Sequence, residues 1–315
     1  MKIVFTFRPP RALQAQLSEA FPENEFNYFK SVEEADKLSE AEIVVTFGED
    51  LTEKHIENCP KLKWIMVASA GMEKMPFETI KEKDILVTNA RGIHKIPMAE
   101  FTIGYMLNHV KRFPELLDFQ KEETWNKRLL IGELADKRLL VLGTGAIGTE
   151  IARLAKAFRM ETVGVNRNGH KNDHFDEINK MDELLMVLPD ADFIVSILPS
   201  TEETRFLLKE EHFQVMKETA VFINIGRGDL LEESILIDAL NSNEIAHAYL
   251  DVFLEEPLPA EHPLWSQERL TITPHISSVT SEYLPRAMKI FAHNLQVYKE
   301  NGSDYENKVD LDKGY

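Results

Sequence analysis

Short apolar runs alternate along the chain with stretches in which apolar residues return at three- and four-residue spacing. In the first third, Lys2–Phe7, Glu25–Phe29, Glu42–Phe47, Leu62–Val67 and Asp84–Thr88 read as strands. Ala12–Phe21 and Ser31–Leu38 have helical patterning, and Asp50–Ile56 predicts a further short helix. One apolar helix is predicted from Met98 to Phe119. A second series then begins with Leu139–Leu142, wholly apolar, as a strand buried on both faces must be. It continues through strands Asp192–Leu198, Ala220–Ile225, Ile245–Phe253 and Leu270–Thr273, with helices at Glu210–Met216 and Glu232–Leu240. Ser278–Lys299 is the last long helix, and a polar tail follows Gly302. Strands alternating with helices predict parallel sheets covered on both faces.

The length of 315 residues suits two domains. Long helices after His94 and after Ser278 are natural crossings between them. We therefore expect one domain from residues 1–97 plus 286–315, and a second, inserted domain from residues 98–285. Open sheets of this kind bind ligands at the carboxyl ends of their strands, so the cleft is expected there.

Composition narrows the function. A 43% hydrophobic content is enough for two cores. The formal net charge of −17 argues against a surface that tracks nucleic acid or anionic membrane. No apolar run approaches the length of a membrane span, and Met1–Phe7 is too short and too alternating for a signal peptide, so a cytoplasmic protein is expected. The single Cys59 excludes an intramolecular disulfide and a cysteine-based metal cage, and no metal is expected.

The second series opens with the most specific signal. Gly143, Gly145 and Gly148 follow the Leu139–Leu142 run with G-x-G-x-x-G spacing, and Ala146 and Ile147 lie between the last two. Ile147, Ile151, Leu154, Ala155 and Phe158 then recur at helical spacing, so the glycines join strand to helix. In that context Gly143 permits the tight turn, Gly145 a close approach of pyrophosphate, and Gly148 close helix–strand packing. The free N–H groups and dipole of the helix start attract phosphate. This is a dinucleotide site. The next strand ends in Asn166-Arg167, where NAD-preferring sites usually carry Asp or Glu. With no carboxylate to repel a 2′-phosphate and a guanidinium to bind it, the pattern favours NADP(H) and leaves NAD(H) open; the alternative is that Arg167 is a solvated loop cation. Pro199 and Thr204, beyond the Asp192–Leu198 strand, are counted with the cofactor-binding positions.

Chemistry-bearing residues gather at later strand ends. Arg227 lies in Asn224-Ile-Gly-Arg-Gly228, Asp251 and Glu256 in Leu250–Leu258, and His275 in Thr273–Ser277. Each alone reads as an ordinary surface, capping or loop residue. Together they meet the requirement for reducing a 2-keto acid. Arg227 can pair with a carboxylate while polarising the carbonyl, and His275 can give a proton as hydride arrives. Glu256 is the carboxylate that would favour the imidazolium. In the first domain, Ala68-Ser-Ala-Gly71 follows a strand with small residues able to expose backbone N–H groups to a carboxylate.

These ordered motifs resemble the D-isomer-specific 2-hydroxyacid dehydrogenase family along nearly the full length. The resemblance implies a Rossmann domain inserted in a flavodoxin-like substrate domain, in a homodimer. It implies that Arg227 binds substrate, Glu256 and His275 form the acid/base pair, Asp251 holds the nicotinamide carboxamide, and Ala70 and Gly71 bind the substrate carboxylate. Met72, Met98, Tyr283 and Leu284 are candidate pocket residues for a small or modestly apolar side chain. Formate dehydrogenases, which are close relatives, carry Gln at the position of Glu256, so a keto-acid reductase is favoured. His94 stands where the family often has Asn, and either faces the nicotinamide or substrate or occupies a polar loop. Asn166-Arg167 is similar to the NADPH-using glyoxylate/hydroxypyruvate reductases of the family. The sequence has no extension that would hold a regulatory domain, which disfavours a serine-pathway phosphoglycerate dehydrogenase with such a domain. The alternative from another class is a nucleotide-sensing corepressor on the same fold.

Overall fold

The computed structural model describes every residue except Ala70, Glu73 and 312–315. It divides into two units, Met1–Ile93 with Thr280–Tyr315, and His94–Val279.

The first unit is built on β1 (Lys2–Phe5), α1 (Arg11–Ala20), β2 (Glu25–Tyr28), β3 (Ile43–Thr46), α2 (Glu53–Glu57), β4 (Trp64–Val67), α3 (Phe77–Glu82) and β5 (Leu86–Asn89). Its sheet is parallel, in the order β2-β1-β3-β4-β5, which is the flavodoxin order. Alternate residues of each strand serve opposite cores, as a period of two dictates. Val4, Val44, Ile65 and Val87 face one core with Ile56 and Ile80. Ile3, Phe5, Val45, Trp64 and Met66 face the other, where the Tyr283–Lys299 helix supplies Ala287, Phe291 and Leu295. Trp64 stacks on Phe291 and Tyr298 at 5.5 and 5.6 Å. The chain's last long helix thus completes the first unit. The segment after it is not a loose tail: Val309 N–H donates to the Val87 carbonyl at 2.9 Å, and Lys308 bridges Thr88 on the β5 edge.

Ser31–Leu38 does not form the predicted helix. Its buried residues Val32, Ala35 and Leu38 recur strictly every third position, and the backbone answers with i→i+3 turns ending in a 3₁₀ turn at Leu38–Glu40.

The second unit begins with α4 (Lys95–Lys111) and α5 (Phe113–Lys121). These replace the single helix expected over 98–119. Arg112 is left-handed at φ 52°, and Pro114 has no N–H to offer the Val110 carbonyl, which instead accepts from Gly132 N–H at 2.7 Å. Then follow β6 (Arg138–Leu142), α6 (Ala146–Ala157), β7 (Glu161–Asn166), β8 (Glu177–Lys180), α7 (Leu184–Val187), β9 (Phe193–Ser196), α8 (Glu210–Gln214), β10 (Val221–Asn224), α9 (Glu233–Asn241), β11 (His247–Leu250) and β12 (Leu270–Ile272). All strands are parallel, in the order β12-β11-β10-β9-β6-β7-β8. Counted from β6 this is 3-2-1-4-5-6 with one further strand, the Rossmann order. Leu139, Val141, Val195 and Ile223 pack under α4 and α6, while Leu140, Leu142, Ile194 and Phe222 pack under α8 and α9. Among the described residues, no helix is long and apolar enough to cross a membrane.

Candidate active site

The β6–α6 turn fits a dinucleotide. Gly143 has φ 106°, a conformation L side chains rarely adopt. A Cβ on Gly148 would stand 2.0 Å from the Gly143 carbonyl oxygen, so only glycine lets the helix close on the turn. A Cβ on Gly145 would meet nothing within 4 Å, and Gly145 and Ala146 are exposed. The helix start therefore opens on free space with its first N–H groups lacking intrahelical partners. Tight packing behind and an open face in front suit the pyrophosphate of a bound dinucleotide.

The turn after β10 carries Arg227. Asn224 is buried; its Oδ1 accepts from Gly226 N–H at 3.1 Å and its Nδ2 donates to the Arg227 carbonyl at 2.9 Å. A Cβ on Gly226 would lie 2.7 Å from the Leu198 carbonyl oxygen, and one on Gly228 only 2.0 Å from the Phe253 carbonyl. Both glycines of the motif are thus required by backbone packing on the turns after β9 and β11. Arg227 itself is exposed, with Nη1 donating to the Gly226 carbonyl at 2.7 Å.

That packing sets Arg227 beside the turn holding Glu256. Phe253 N–H donates to Glu256 Oε1 at 3.0 Å, and Glu256 Oε2 lies 2.7 Å from His275 Nδ1. An imidazole bonded to a carboxylate through Nδ1 presents Nε2 for proton transfer. His275 is left-handed at φ 51°, and its side chain is 46% exposed. The residues around it are fixed by Asp251, whose Oδ1 accepts from Ile276 N–H and Oδ2 from Ser277 N–H, each at 2.9 Å. The structure pairs Glu256 with His275 and packs the turn that carries Arg227 against the one that leads to Glu256.

Several positions assigned to ligand contact are engaged otherwise. Asp251 is fully buried, and its carboxylate is taken up by the Thr273 hydroxyl and the two N–H groups after His275. It supports the His275 turn. Asn166 has its whole amide engaged: Nδ2 donates to Thr144 Oγ1 in the β6–α6 turn and to the His170 carbonyl, and Oδ1 accepts from Asn168 and His170 N–H. The Thr204 hydroxyl closes a turn by donating to the Pro199 carbonyl at 2.6 Å and accepting from Thr201 N–H at 2.8 Å. Met72 is buried in the first unit's core, where Asn89 Nδ2 approaches its sulfur. Arg167 remains exposed at the end of β7 and pairs with Glu203. In the first unit, Gly71 is exposed and its carbonyl accepts from Ser69 Oγ at 2.9 Å; Ala70 lies outside the described residues. His94 precedes α4, half-buried; burial lowers its imidazole pKa, opposed by a backbone hydrogen bond with Ser278. Among the described residues no group of His, Cys, Asp or Glu is arranged to hold a metal ion.

Residues 103–277 match the family model for the NAD binding domain of D-isomer specific 2-hydroxyacid dehydrogenases. The chain belongs to that family. The D-isomer specific 2-hydroxyacid dehydrogenases are NAD(P)-dependent oxidoreductases. The chain is 34% identical over 264 residues to a D-3-phosphoglycerate dehydrogenase of Methanocaldococcus jannaschii, an alignment spanning 83% of this chain but only half of that protein. It is 31% identical over 273 residues to a glyoxylate reductase of Aeropyrum pernix, spanning 84% and 82% of the two chains. Among solved structures it is similar to a D-isomer specific 2-hydroxyacid dehydrogenase from Xanthobacter autotrophicus Py2 in complex with NADPH and MES, at 25% identity and a TM-score of 0.79, covering 100% of this chain and 99% of that one.

Residues that sequence reasoning missed are those that position others. Asn224 was visible in the motif but not its clamp on the Arg227 turn. Thr273, whose hydroxyl bonds Asp251, carried no signal as a site residue, because it reads as a strand end.

Proposed function

We propose that the protein reduces a small 2-keto acid to the corresponding D-2-hydroxy acid, with NADP(H) as the preferred cofactor. The observation that carries this reading is the 2.7 Å contact between His275 Nδ1 and Glu256 Oε2, in a turn packed beside the one presenting Arg227. In the proposed mechanism the Arg227 guanidinium leaves the Gly226 carbonyl to pair with the substrate carboxylate and polarise the adjacent carbonyl. His275 Nε2 then gives its proton to the carbonyl oxygen. Glu256 accepts the Nδ1–H, so it holds the ring in one orientation and balances the charge of the imidazolium before transfer. The bound nicotinamide supplies the hydride that completes the reduction. Gly71 is proposed to offer its backbone N–H to a carboxylate, as assigned from the sequence.

The preference for NADP(H) rests on Arg167 and on the absence of a carboxylate at the end of β7. The NADPH-bound Xanthobacter relative supports it. Glu203 tempers it, because the Arg167 side chain must leave that ion pair to meet a 2′-phosphate. A homodimer is proposed from the second unit's surface. No residue of α5 is buried, and Leu117, Trp125, Leu130 and Ile131 are more than half exposed within one short stretch of chain.

Chiral analysis of the hydroxy acid formed from NADPH and a 2-keto acid tests the reaction. The D enantiomer is expected, and an L product would contradict the proposal.

A further inference from the structure

We propose that Tyr105, on α4, is a positioning residue for His275, acting through a hydroxyl relay to the buried carboxylate of Asp251. The catalytic consequence rests on the reading of His275 as the acid given above, whereas the relay stands on geometry alone.

His275 sits in a left-handed conformation that a non-glycine residue holds only where its surroundings over-determine it. Those surroundings converge on Asp251. Thr273 Oγ1 donates to Asp251 Oδ1 from before His275, and the N–H groups of Ile276 and Ser277 bind the same carboxylate from after it. The His275 N–H closes the turn on the Thr273 carbonyl at 3.1 Å.

Proton accounting extends the clamp by one residue. Thr273 has a single hydroxyl proton, and Asp251 receives it. The Tyr105 phenol, 2.5 Å from Thr273 Oγ1, must therefore be the donor in that contact. Burial raises the phenol's pKa above its ordinary value, so it keeps its proton throughout the working range. The bonds all run in one sense, from Tyr105 O–H to Thr273 O–H to carboxylate, and such chains strengthen one another. The far end of the relay is fixed. Tyr105 is buried, with its ring edge-on to Phe101 at 4.8 Å and against Tyr249 at 4.5 Å. An apolar face of α4 would accept Phe at this position; only the hydroxyl distinguishes Tyr, and the relay is what it serves.

The test compares Tyr105→Phe, Thr273→Val and the double variant with the parent protein. Tyr105→Phe should lower kcat about threefold to tenfold, the effect of one hydrogen bond, while KM for the keto acid changes less than twofold. If Tyr105 acts through Thr273, the double variant should be no slower than Thr273→Val alone. A second readout does not depend on turnover: the low-field proton resonance of the His275 Nδ1–H bonded to Glu256, identified by its loss in His275→Ala, should broaden or move in Tyr105→Phe. Additive losses, or an unchanged kcat and resonance in Tyr105→Phe, would overturn the relay. A resonance that moves in a protein turning over no keto acid would support the relay and refute the catalytic reading instead.

Discussion

Gly145 and Gly148 stand three residues apart, yet a methyl group added to each should do opposite things. At Gly148 the new Cβ would lie 2.0 Å from the Gly143 carbonyl oxygen and 2.9 Å from Ile197 Cδ1. Real Cβ contacts essentially never fall below 3.0 Å, so the start of α6 must withdraw from the turn by about 1 Å. Overpacking of this kind costs ~1–3 kcal/mol, which in a domain of this size lowers Tm by roughly 3–10 °C. Gly145 is different. Its φ of −72° is open to alanine and its Cβ would meet nothing. Losing glycine at an N-cap costs up to about 1 kcal/mol, and the restricted unfolded chain returns ~0.4–1 kcal/mol, so Tm should stay within about 2 °C. The methyl instead occupies the open space in front of the helix start. Loss of one charge-assisted contact there, ~1.5–3 kcal/mol, weakens NADPH binding about tenfold to a hundredfold. Thermal melts and fluorescence titrations with NADPH, run on both variants in one buffer, separate the two effects. Parent-like NADPH affinity in Gly145→Ala, or a parent-like Tm in Gly148→Ala, would refute the assignment of this turn.

Three further outcomes follow from particular contacts. Arg167→Ala should reduce the preference for NADPH over NADH about tenfold, and Glu203→Gln, which frees the guanidinium, should increase it; Kd values for both cofactors check this. Burial drives the His247 imidazole down to about 4, with His109, Arg269 and Glu115 as the charged or titratable neighbours, around a cavity of about 600 Å³ at the amino ends of β9 to β11. Between about pH 4 and 6.5 the unfolded chain binds a proton at His247 that the folded chain does not, so this residue makes stability rise with pH across that window and fall on acidification. Urea unfolding at pH 4.5 and 7 should show a drop smaller by about 1–2 kcal/mol in His247→Gln than in the parent protein, the full shift being discounted for partial exposure. If the exposed Trp125–Ile131 stretch is a dimer contact, Leu130→Glu should convert a dimeric mass to a monomeric one in light scattering.

Much of this was legible because a two-sided parallel sheet demands continuous apolar runs, as at Ile43–Thr46, Leu139–Leu142 and Val221–Asn224. Edge and junction elements were not. Glu177–Lys180 is a strand with two exposed and two partly buried residues, so Glu-Ile-Asn-Lys carries no apolar run to announce it. The break at Arg112 was signalled only by Pro114, two residues later. At the site, Arg227, Glu256 and His275 could be found because motif spacing marks strand ends. The engagement of Asp251 by the turn after β12, of Asn166 by Thr144 and its own loop, and of Thr204 by its own turn could not, because a short polar side chain after a strand looks the same whether it faces a ligand or bonds to a neighbouring turn. Only burial and hydrogen-bond accounting tell those apart.

The central claim is tested most directly by following loss of the reduced nicotinamide by absorbance, with NADPH and NADH each offered glyoxylate, hydroxypyruvate, pyruvate and 2-ketoisocaproate, in the parent protein and in His275→Ala. The account predicts oxidation of NADPH by at least one of these acids, and a loss of about a hundredfold or more in His275→Ala with NADPH binding retained. Tight NADPH binding with no turnover of any acid, or a fully active His275→Ala, would contradict it.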